Sequence, residues 1–324
     1  MRVLITGGAG FIGSHLAEEL HKRNHFVNVV DNLSTGRLEN IEHLLHSPRF
    51  SIAVESILNE TVMDRLVSEC DIIYHLAASV GVELIVNKPV EVIETNILGT
   101  EMVLKLANRY LKKVIITSTS EIYGKSEKTP FKENDDRVLG PTTKNRWSYS
   151  SSKAIDEFLA LAYHKQRKMA VVITRLFNTV GPRQTGQYGM VLPRFVVQAL
   201  KGEPLTVYGD GNQTRCFAHV RDVVNALIVL AETSNAIGQI FNIGNDQPIT
   251  ILELANKVKQ ITKSESEIKF VPYDIAYEEG FEDMAIRIPD LTKIKTLIGY
   301  EPRYSIDEII KSVVDYFLIE KLVY

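Results

Sequence analysis

The stretch Gly7-Gly8-Ala9-Gly10-Phe11-Ile12-Gly13 decides the fold of this chain. It follows the apolar run Val3–Thr6, which has the composition of a buried strand, and it opens Phe11–Lys22, whose apolar residues have helical spacing. Its glycines permit a tight turn, a close approach of the backbone to a pyrophosphate, and close packing of helix on strand. The N–H groups at the start of the helix would then face the phosphates. We therefore predict a dinucleotide site that uses Gly7, Gly10, Phe11, Ile12 and Gly13.

An acidic residue at the end of the second predicted strand indicates which dinucleotide binds. Asp31 follows the run Phe26–Val30, about 20 residues beyond the glycines, as this type of site requires. A carboxylate here can accept hydrogen bonds from the adenosine ribose, whereas a 2'-phosphate would meet like charge. We therefore predict NAD rather than NADP, with Asn32 beside Asp31 at the site. Arg37, close by, weakens this preference slightly, because arginine can bind a 2'-phosphate.

Strand-like and helix-like segments alternate through the first half of the chain. The β-branched runs that predict buried strands are Val3–Thr6, Phe26–Val30, Phe50–Ala53, Ile72–His75, Lys113–Ser118 and Ala170–Arg175. Helical spacing recurs in Phe11–Lys22, Val92–Tyr110 and Ser151–Lys168. This alternation predicts an α/β protein with a Rossmann-type, doubly wound parallel sheet that carries helices on both faces.

The second half of the chain is less regular and richer in glycine and proline. Strand-like pieces occur at Leu205–Tyr208 and Gln239–Ile243, and helical spacing occurs at Ile251–Lys259 and Ile306–Phe317. We infer a smaller, loop-rich C-terminal substrate lobe whose segments interleave with the first domain. The predicted division assigns residues 1–178, with a returning segment at about 217–243, to the dinucleotide-binding domain, and residues 179–216 and 244–324 to the substrate lobe.

Composition argues against several classes of partner. The chain of 324 residues carries 37 Lys and Arg against 40 Asp and Glu, and this net charge of -3 favours neither a nucleic acid nor an anionic membrane. Cys70 and Cys216 lie far apart in apolar contexts, as expected of reduced thiols. The first residues form a predicted strand rather than a signal peptide, and the longest apolar stretch, Ala226–Ala231, is far short of the roughly 18 residues of a membrane span. We expect a cytoplasmic protein without a metal site.

Tyr149 and Lys153 place a phenol and an ammonium four residues apart, on one face of a predicted helix. A free tyrosine, with a pKa of about 10, cannot act as a base at neutral pH. A nearby cation favours the phenolate, so Lys153 is expected to bring the pKa of Tyr149 towards the range of a general base. Lys153 could also hold the nicotinamide ribose. The pair predicts a reaction in which Tyr149 removes a proton from a hydroxyl group.

These motifs resemble those of the extended short-chain dehydrogenases/reductases, in the branch of nucleotide-sugar epimerases, dehydratases and decarboxylases. The resemblance runs over almost the whole chain. Besides the glycine stretch, Asp31 and the Tyr149/Lys153 pair, it rests on His75-Leu76-Ala77-Ala78, Asn96-Ile97-Leu98-Gly99-Thr100, Ser118–Gly124, Leu176–Arg183, Leu205–Gly211 and Gln213-Thr214-Arg215. The chain departs from the family where a Gly-Asp pair usually follows the third strand, because Glu55-Ser56 stands there. This departure leaves the adenine contact open.

The resemblance implies roles for individual residues. Thr119 would hydrogen-bond the sugar hydroxyl that is oxidised, while Tyr149 removes its proton and NAD+ takes the hydride. The residues implied beside the cofactor are Leu76, Ala77, Ala78 and Asn96, together with Tyr149 and Lys153. The residues implied on the nucleotide sugar are Asn178, Arg183, Tyr208, Arg215 and Arg287, whose guanidinium groups can bind a diphosphate bidentately. A homodimer formed by Val92–Tyr110 and Ser151–Lys168 is also implied, although each helix could equally pack within its own chain.

The segment after Thr119 bears on the reaction that follows oxidation at C4 of the sugar. Dehydratases of the family resemble one another in Thr-Asp-Glu, with the aspartate as acid, and simple epimerases usually lack the glutamate. Here the triplet is Thr119-Ser120-Glu121, which looks most like that of UDP-glucuronate decarboxylases. Further segments agree, namely Gly140-Pro141 with Lys144, Arg146 and Trp147, and Gly280–Asp283 leading to Arg287-Ile288-Pro289. The resemblance thus implies catalytic roles for Ser120, Glu121 and Arg287, and UDP-glucuronate decarboxylation is the leading hypothesis.

Three other functions stay open at this point. A UDP-hexose or UDP-hexuronate 4-epimerase would return the hydride to the opposite face of the sugar, and a sugar 4,6-dehydratase would eliminate water across C5–C6. A non-catalytic NAD-sensing protein is the third, although such proteins can dispense with the tyrosine, lysine and threonine that are all present here. The motifs decide neither the sugar, nor the nucleotide, nor whether NADH is released or recycled.

Overall fold

The computed structural model describes residues 1–81, 85, 87–186, 190–276 and 284–319. Its strands, in chain order, are β1 (Arg2–Thr6), β2 (Phe26–Asp31), β3 (Phe50–Val54), β4 (Ile72–His75), β5 (Lys113–Thr119), β6 (Val171–Leu176), β7 (Thr179–Val180), β8 (Leu205–Tyr208), β9 (Thr214–Cys216), β10 (Ala218–His219), β11 (Gln239–Ile243), β12 (Pro248–Thr250), β13 (Ile268–Val271) and β14 (Ile286–Arg287). Its α-helices are α1 (Phe11–Lys22), α2 (Glu60–Glu69), α3 (Pro89–Arg109), α4 (Arg146–Arg167), α5 (Val191–Lys201), α6 (Val220–Glu232), α7 (Ile251–Thr262), α8 (Tyr273–Ala276), α9 (Thr292–Ile298) and α10 (Ile306–Ile319).

Parallel strands form the central sheet, in the order β11-β6-β5-β4-β1-β2-β3. The register pairs Ile5 of β1 with Val29 of β2 on one side and with Tyr74 of β4 on the other. Because the chain builds outward from β1 in both directions, a crevice opens at the carboxyl end of this strand, where ligands of such sheets bind. The predicted α/β class with a Rossmann-type parallel sheet is confirmed.

Helices cover both faces of this sheet. Val3 and Ile5 of β1 point into one core, which α1, α6 and α9 close. Leu4 points into the opposite core, which α2, α3 and α4 close. Burial on both faces explains why the central strands are almost continuously apolar rather than alternating. None of the described helices combines the length and the apolar character that crossing a membrane requires.

The second lobe has a core of its own. Helices α5, α7 and α10 pack there with the paired strands β8 and β13. Strand β9 pairs with β12 on one side and β14 on the other, so Arg215 lies directly beside Arg287 in the register. The chain also returns to the first lobe, where β11 extends the central sheet beside β6. The predicted domain boundaries themselves stay a prediction.

Several helices differ from the predicted pattern, and α2, α5, α8 and α9 were not predicted at all. Helix α3 begins at Pro89 rather than Val92, because proline at the first helical position sacrifices no hydrogen bond. Helix α4 begins at Arg146 rather than Ser151, because buried packing of Arg146 and Trp147 outweighs the weak helix propensity of the serines. Helix α6 was also not predicted, although Arg221, Asn225 and Glu232 form an exposed polar stripe at helical spacing.

A buried ion pair ties α4 to β6. Arg175 Nε and Nη2 donate to the two carboxylate oxygens of Glu157 at 2.9 and 2.7 Å. At the end of β5, Ser118 Oγ donates to Glu157 Oε1 at 2.6 Å. Arg175 Nη1 donates to the Tyr123 hydroxyl at 3.0 Å, and that hydroxyl donates to Asn242 Oδ1 of β11 at 2.7 Å. One helix, three strands and the turn after β5 therefore share a single charged network.

Arg175→Met is expected to lower the free energy of unfolding by about 3–5 kcal/mol, because the Glu157 carboxylate would stay buried without its cation. Unfolding in denaturant, followed by circular dichroism, measures this change. The matched control is Arg109→Met, which removes an ion pair with Asp64 whose two side chains are about half and one third exposed. It should change the unfolding free energy little. Equal losses for the two variants would contradict the importance of the buried pair.

Candidate active site

A cavity of about 610 Å³ runs along the carboxyl ends of the central strands and into the second lobe. The predicted site residues that line it are Gly7, Gly10, Phe11, Ile12, Gly13, Asp31, Asn32, Leu76, Ala77, Ala78, Thr119, Ser120, Glu121, Tyr149, Lys153, Asn178, Arg183, Tyr208, Arg215 and Arg287. Motifs that are far apart in the sequence therefore meet in one space that both lobes enclose.

The glycine loop forms the wall of the cavity at the end of β1. Gly7 has a φ of +71°, and its N–H donates to Val30 O at 2.8 Å. A Cβ on Gly13 would lie 2.1 Å from Gly7 O, so the helix can pack on the turn only without a side chain there. Helix α1 begins at Phe11 without a side-chain cap, which makes its first N–H groups available to an anion. This cradle fits the pyrophosphate of a dinucleotide.

Asp31 stands at the end of β2, beside the glycine loop. Its Oδ2 accepts a hydrogen bond from Ala9 N–H at 2.9 Å, and its Oδ1 accepts one from Leu33 N–H at 2.8 Å. Burial raises the pKa of this carboxyl, while the backbone N–H groups lower it. A Cβ on Gly36 would lie 2.7 Å from Oδ1, so the turn after β2 wraps closely round the carboxylate. Asp31 is thus held rigidly at the wall of the cavity.

Glu55 and Ser56, which depart from the family pattern, line the same end of the cavity. Glu55 N–H donates to Asp31 O at 3.1 Å, and Glu55 Oε1 accepts from Ser56 N–H at 2.8 Å. Glu55 and Asp31 therefore line the same end of the cavity. Arg37 also lines this end, with its Nε 3.6 Å from a Glu39 carboxylate oxygen. Two carboxylates disfavour a 2'-phosphate, which agrees with NAD as cofactor.

Asn96 is placed differently from the other predicted cofactor residues. It is buried behind the cavity wall, where its Oδ1 accepts from Ser79 N–H at 2.8 Å. Its Nδ2 donates to Ser79 O at 3.3 Å and to Ser152 Oγ at 3.2 Å. A buried amide must satisfy its own donors and acceptor, and Asn96 does so within the protein. Asn96 thus fixes the loop that follows β4, and its predicted role beside the cofactor stays a prediction.

Thr119 and Tyr149 meet at the end of β5. The Thr119 hydroxyl hydrogen-bonds the Tyr149 phenol, and Thr119 Oγ1 also accepts from Glu121 N–H at 3.2 Å. The phenol is almost fully buried. Burial and the charge of Glu121 raise the pKa of Tyr149, and the Thr119 hydrogen bond and the charge of Arg287 offset this only in part. The hydroxyl and the phenol are therefore positioned to hold one substrate oxygen between them.

The lysine of the predicted pair contacts a carboxylate. Lys153 Nζ donates to Asp156 Oδ2 at 2.7 Å, and both side chains are buried. The expectation that Lys153 lowers the pKa of Tyr149 is not met in this structure, where that pKa is raised, mainly by burial. Asp156 contributes to the difference, because it binds the ammonium and adds a negative charge of its own.

Glu121 lies between two arginines. Its Oε1 is 3.3 Å from Arg146 Nη2 and 3.2 Å from Arg287 Nη1. Arg146 begins α4, one turn before Tyr149, whereas Arg287 comes from β14 of the second lobe. Two guanidinium groups therefore flank one carboxylate oxygen in the wall beside Tyr149. Ser120, which precedes the glutamate, is buried in the same wall.

Arg146 and Arg194 line the cavity although sequence reasoning did not assign them to the site. A signal for Arg146 was its position three residues before Tyr149, which places both on one face of the helix. Arg194 on α5 had no such signal. Its guanidinium carbon lies 4.0 Å from the centre of the Tyr208 ring, and Arg194 Nη2 donates to Thr206 O at 3.0 Å.

The remaining predicted substrate residues have partners within the protein. Asn178 Nδ2 donates to Cys216 O at 3.2 Å, and Arg215 Nη1 donates to Thr214 O at 2.9 Å. Both side chains still border the cavity between the lobes. Their partners fix the orientation of an amide and a guanidinium towards the space that a nucleotide sugar would fill. Residues 280–283 of the motif that precedes Arg287 lie outside the described residues.

Arg183 links the two lobes across the mouth of the cavity. Its Nη2 donates to Glu18 Oε2 at 2.6 Å, and its Nη1 donates to Ser14 Oγ at 3.4 Å. Burial raises the pKa of Glu18, but hydrogen bonds from Lys22 and Arg183 outweigh it and lower this pKa to about 2. Arg183 is therefore paired with Glu18 on α1, whereas Arg146 and Arg287 are paired with Glu121.

Comparison with known proteins agrees with this geometry. The model of the family described as GDP-mannose 4,6 dehydratase matches residues 4–313. The UDP-N-acetyl-alpha-D-glucosaminuronate decarboxylase of Bacillus cytotoxicus is 46% identical over 98% of this chain and 97% of its own length. The UDP-glucuronic acid decarboxylase 1 of Danio rerio is 39% identical over 98% of this chain and 72% of its own length.

A solved structure shows the same fold. The UDP-glucuronic acid 4-epimerase of Bacillus cereus, in complex with UDP-glucuronic acid and NAD, superposes with a TM-score of 0.88 and 31% identity. The match covers 99% of this chain and 100% of that one. The same cofactor, NAD, fits the cradle at the glycine loop of this chain. It also fits Thr119 at the end of β5 with Tyr149 and Lys153 on α4. The chain belongs to the extended short-chain dehydrogenases/reductases, in the branch of NAD-dependent enzymes that modify nucleotide sugars.

Proposed function

We propose that this chain decarboxylates a UDP-linked hexuronate through a 4-keto intermediate. The observation that carries the proposal is the cluster of Glu121 with Arg146 and Arg287, which faces the same space as the Tyr149 phenol. A hexuronate differs from a hexose by its carboxylate at C6, close to the C4 hydroxyl. Two guanidinium groups beside the group that removes the hydroxyl proton suit such a carboxylate, because each can bind it through charged hydrogen bonds.

The relatives support the same substrate class. One is named for UDP-N-acetyl-alpha-D-glucosaminuronate and another for UDP-glucuronic acid. Both sugars carry the C6 carboxylate, and they differ at C2. The triplet Thr119-Ser120-Glu121 favours UDP-glucuronate, while the higher identity belongs to the relative named for the N-acetylated sugar. The proposal therefore covers both uronates, and experiment must distinguish them.

The first chemical step is oxidation at C4. Tyr149 takes the proton of the C4 hydroxyl, and the Thr119 hydroxyl holds the same oxygen. NAD+, when bound, accepts the hydride from C4. The glycine loop and Asp31 hold the cofactor at the other end of the cavity. Because burial raises the pKa of the Tyr149 phenol, this step depends on the charges that surround the phenol.

The C4 ketone makes the sugar a β-keto acid, which can lose CO2. The C5–C6 bond breaks, its electron pair passes to the C4 carbonyl as an enolate, and C5 then takes up a proton. Arg287 and Arg146 first bind the carboxylate and then stabilise the enolate oxygen. Glu121 keeps both guanidinium groups in place and limits their excess charge.

A 4-epimerase is the second candidate. The Bacillus cereus structure, a UDP-glucuronic acid 4-epimerase, has the same fold and 31% identity. Such an enzyme would use Tyr149 and Thr119 in the same way and return the hydride to the other face of the ketone. Dehydration is the weaker alternative, because Ser120 is a poor proton donor where dehydratases carry an aspartic acid.

Purified protein with NAD+ is expected to release CO2 from UDP-glucuronate or UDP-N-acetylglucosaminuronate, because either sugar becomes a β-keto acid on oxidation at C4. Mass spectrometry and NMR measure the loss of CO2 and the configuration at C4. Tyr149→Phe is the control: it should abolish product and leave NAD binding intact. Unchanged mass with inverted C4 would make the chain an epimerase. NAD binding without product from any UDP-sugar would favour an NAD-sensing protein.

Arg287→Met is expected to lower kcat/KM for the uronate by about 100-fold, because it removes a charged donor from the carboxylate and enolate. Steady-state kinetics measure the change. Arg221→Met is the matched control, since it removes an exposed arginine at the start of α6 that does not line the cavity, and it should lose much less. Equal losses for both variants would contradict the role of the Glu121 cluster in the chemistry.

We also propose that the chain forms a homodimer through α3 and α4. These helices pack against each other, and each leaves large apolar side chains exposed on its outer side. Phe158 is 68% exposed and Ile155 45% on α4, while Val90 is 67% and Leu98 47% exposed on α3. Apolar side chains at helical spacing on two adjacent helices suit an isologous four-helix interface.

Phe158→Glu is expected to shift the protein from dimer to monomer, because two charges would be buried at a two-fold interface. Light scattering coupled to gel filtration measures the mass of the particle in solution, and each chain adds 36.5 kDa to it. The matched control is Phe270→Glu, which changes a 50% exposed phenylalanine on β13 of the second lobe. A monomeric wild type, or a dimer that tolerates Phe158→Glu, would contradict this interface.

A further inference from the structure

Behind the catalytic pair, buried polar side chains connect α4 to α3 and β4. Lys153 Nζ is 2.7 Å from Asp156 Oδ2. The Thr100 hydroxyl of α3 hydrogen-bonds the same carboxylate, and Thr100 Oγ1 is 3.0 Å from His75 Nε2 at the end of β4. All four side chains are at most 2% exposed. The catalytic lysine is therefore attached to the core of the first lobe through Asp156.

The same connection continues to the loop that lines the cofactor end of the cavity. His75 Nδ1 is 2.8 Å from Thr6 Oγ1, the last residue of β1. Thr6 Oγ1 accepts a hydrogen bond from Ala77 N–H at 3.1 Å. Ala77 lines the cavity directly after β4. The chain of hydrogen bonds thus runs from the catalytic lysine to a backbone group beside the glycine loop.

The donors and acceptors allow this chain to run in one direction. Ala77 N–H can only donate, and the Asp156 carboxylate can only accept. Thr6 then donates to His75 Nδ1, His75 Nε2–H donates to Thr100, and the Thr100 proton is left for the carboxylate. Burial lowers the pKa of His75 to about 3, so the imidazole is neutral, as this arrangement requires. Each link uses one donor and one acceptor.

We propose that Asp156 is a positioning residue for the catalytic pair: its carboxylate holds the Lys153 ammonium in place, and its negative charge offsets that ammonium beside Tyr149. The inference rests on the proposed function in one respect, since it takes Tyr149 as the base. The sequence motif assigns the lysine to act on the tyrosine directly. In the structure a third residue, three positions beyond Lys153 on the same helix, binds the lysine ammonium at 2.7 Å.

The charges around the pair come from several elements of the fold. The titratable side chains that face Asp156, Lys153 or Tyr149 from neighbouring positions are Glu157 on α4, His75 on β4, Glu121 after β5 and Arg287 on β14. The charge of Glu157 is matched by its bidentate partner on β6. The other two carboxylates, those of Glu121 and Asp156, both raise the pKa of Tyr149, whereas the charge of Arg287 lowers it.

Removal of the Asp156 charge changes the pKa of Tyr149 in a definite direction. Arg287 would then act on the phenol with Glu121 as the remaining carboxylate that raises its pKa. The phenolate becomes more favourable, so the pKa of Tyr149 falls. The rate of C4 oxidation increases with pH until the Tyr149 phenol is ionised, and this increase is the acidic limb of the pH profile. When the pKa of the phenol falls, the acidic limb moves to lower pH.

The test compares pH profiles of the NAD-loaded protein. Asp156→Asn keeps the shape of the side chain, and it is expected to move the acidic limb of kcat down by about one pH unit, which is tenfold in the ionised fraction at a given pH. Asp156→Glu retains the charge and should restore a midpoint close to that of the wild type. Asp222→Asn removes a buried carboxylate on α6 and should leave the midpoint unchanged. A limb that is unmoved, or moved to higher pH, in Asp156→Asn would overturn the proposal.

A second readout separates this inference from the choice of reaction. Ultraviolet difference absorbance, with Tyr149→Phe subtracted, follows ionisation of the phenol in NAD-loaded protein without any turnover. Asp156→Asn should lower the midpoint of this titration by the same amount, and Asp156→Ala serves if the asparagine variant does not fold. An unmoved midpoint would overturn the role of Asp156. A lowered midpoint in a protein that releases no CO2 would overturn only the proposed decarboxylation.

Discussion

The bidentate ion pair between Glu157 and Arg175 is the interaction on which the geometry of the catalytic centre depends. It buries opposite charges between α4 and β6, and it recruits the hydroxyls of Ser118 and Tyr123 from the end of β5. Thr119 ends β5 and Glu121 follows it, whereas Tyr149 and Lys153 stand on α4. A charge pair that is costly to break thus holds together the two elements whose side chains must meet.

The second lobe completes the site by bringing charge to this centre. Strand β14 pairs with β9 in a register that sets Arg287 beside Arg215, and the Arg287 guanidinium then reaches Glu121 of the first lobe at 3.2 Å. Arg183 makes a second connection between the lobes through Glu18 on α1. Both lobes therefore supply charged side chains to one cavity, and the cluster around Glu121 is complete only when the lobes are packed together.

Charge balance around Tyr149 is the second constraint on the enzyme. Burial alone makes the phenol a poor base, and the carboxylates of Glu121 and Asp156 oppose its ionisation further. Arg287 acts in the opposite sense, and Lys153 is held by Asp156. In the proposed reaction the same glutamate orients two arginines for a substrate carboxylate, and its charge also opposes ionisation of the Tyr149 phenol. The groups proposed to hold the substrate lie in the same cavity as the groups that set the pKa of Tyr149. A change in one set is therefore expected to affect the other.

Local rules explain what the sequence by itself determined. Apolar strand runs between helical segments predicted the parallel sheet, the glycine stretch predicted the cofactor end, and the spacing of Tyr149 and Lys153 put both on one helical face. Only the tertiary structure decided that Lys153 contacts Asp156, that Asn96 supports the loop after β4, and that Arg146 joins Glu121. These contacts depend on which elements pack together, and a buried charge or amide takes whichever partner that packing brings within hydrogen-bonding distance.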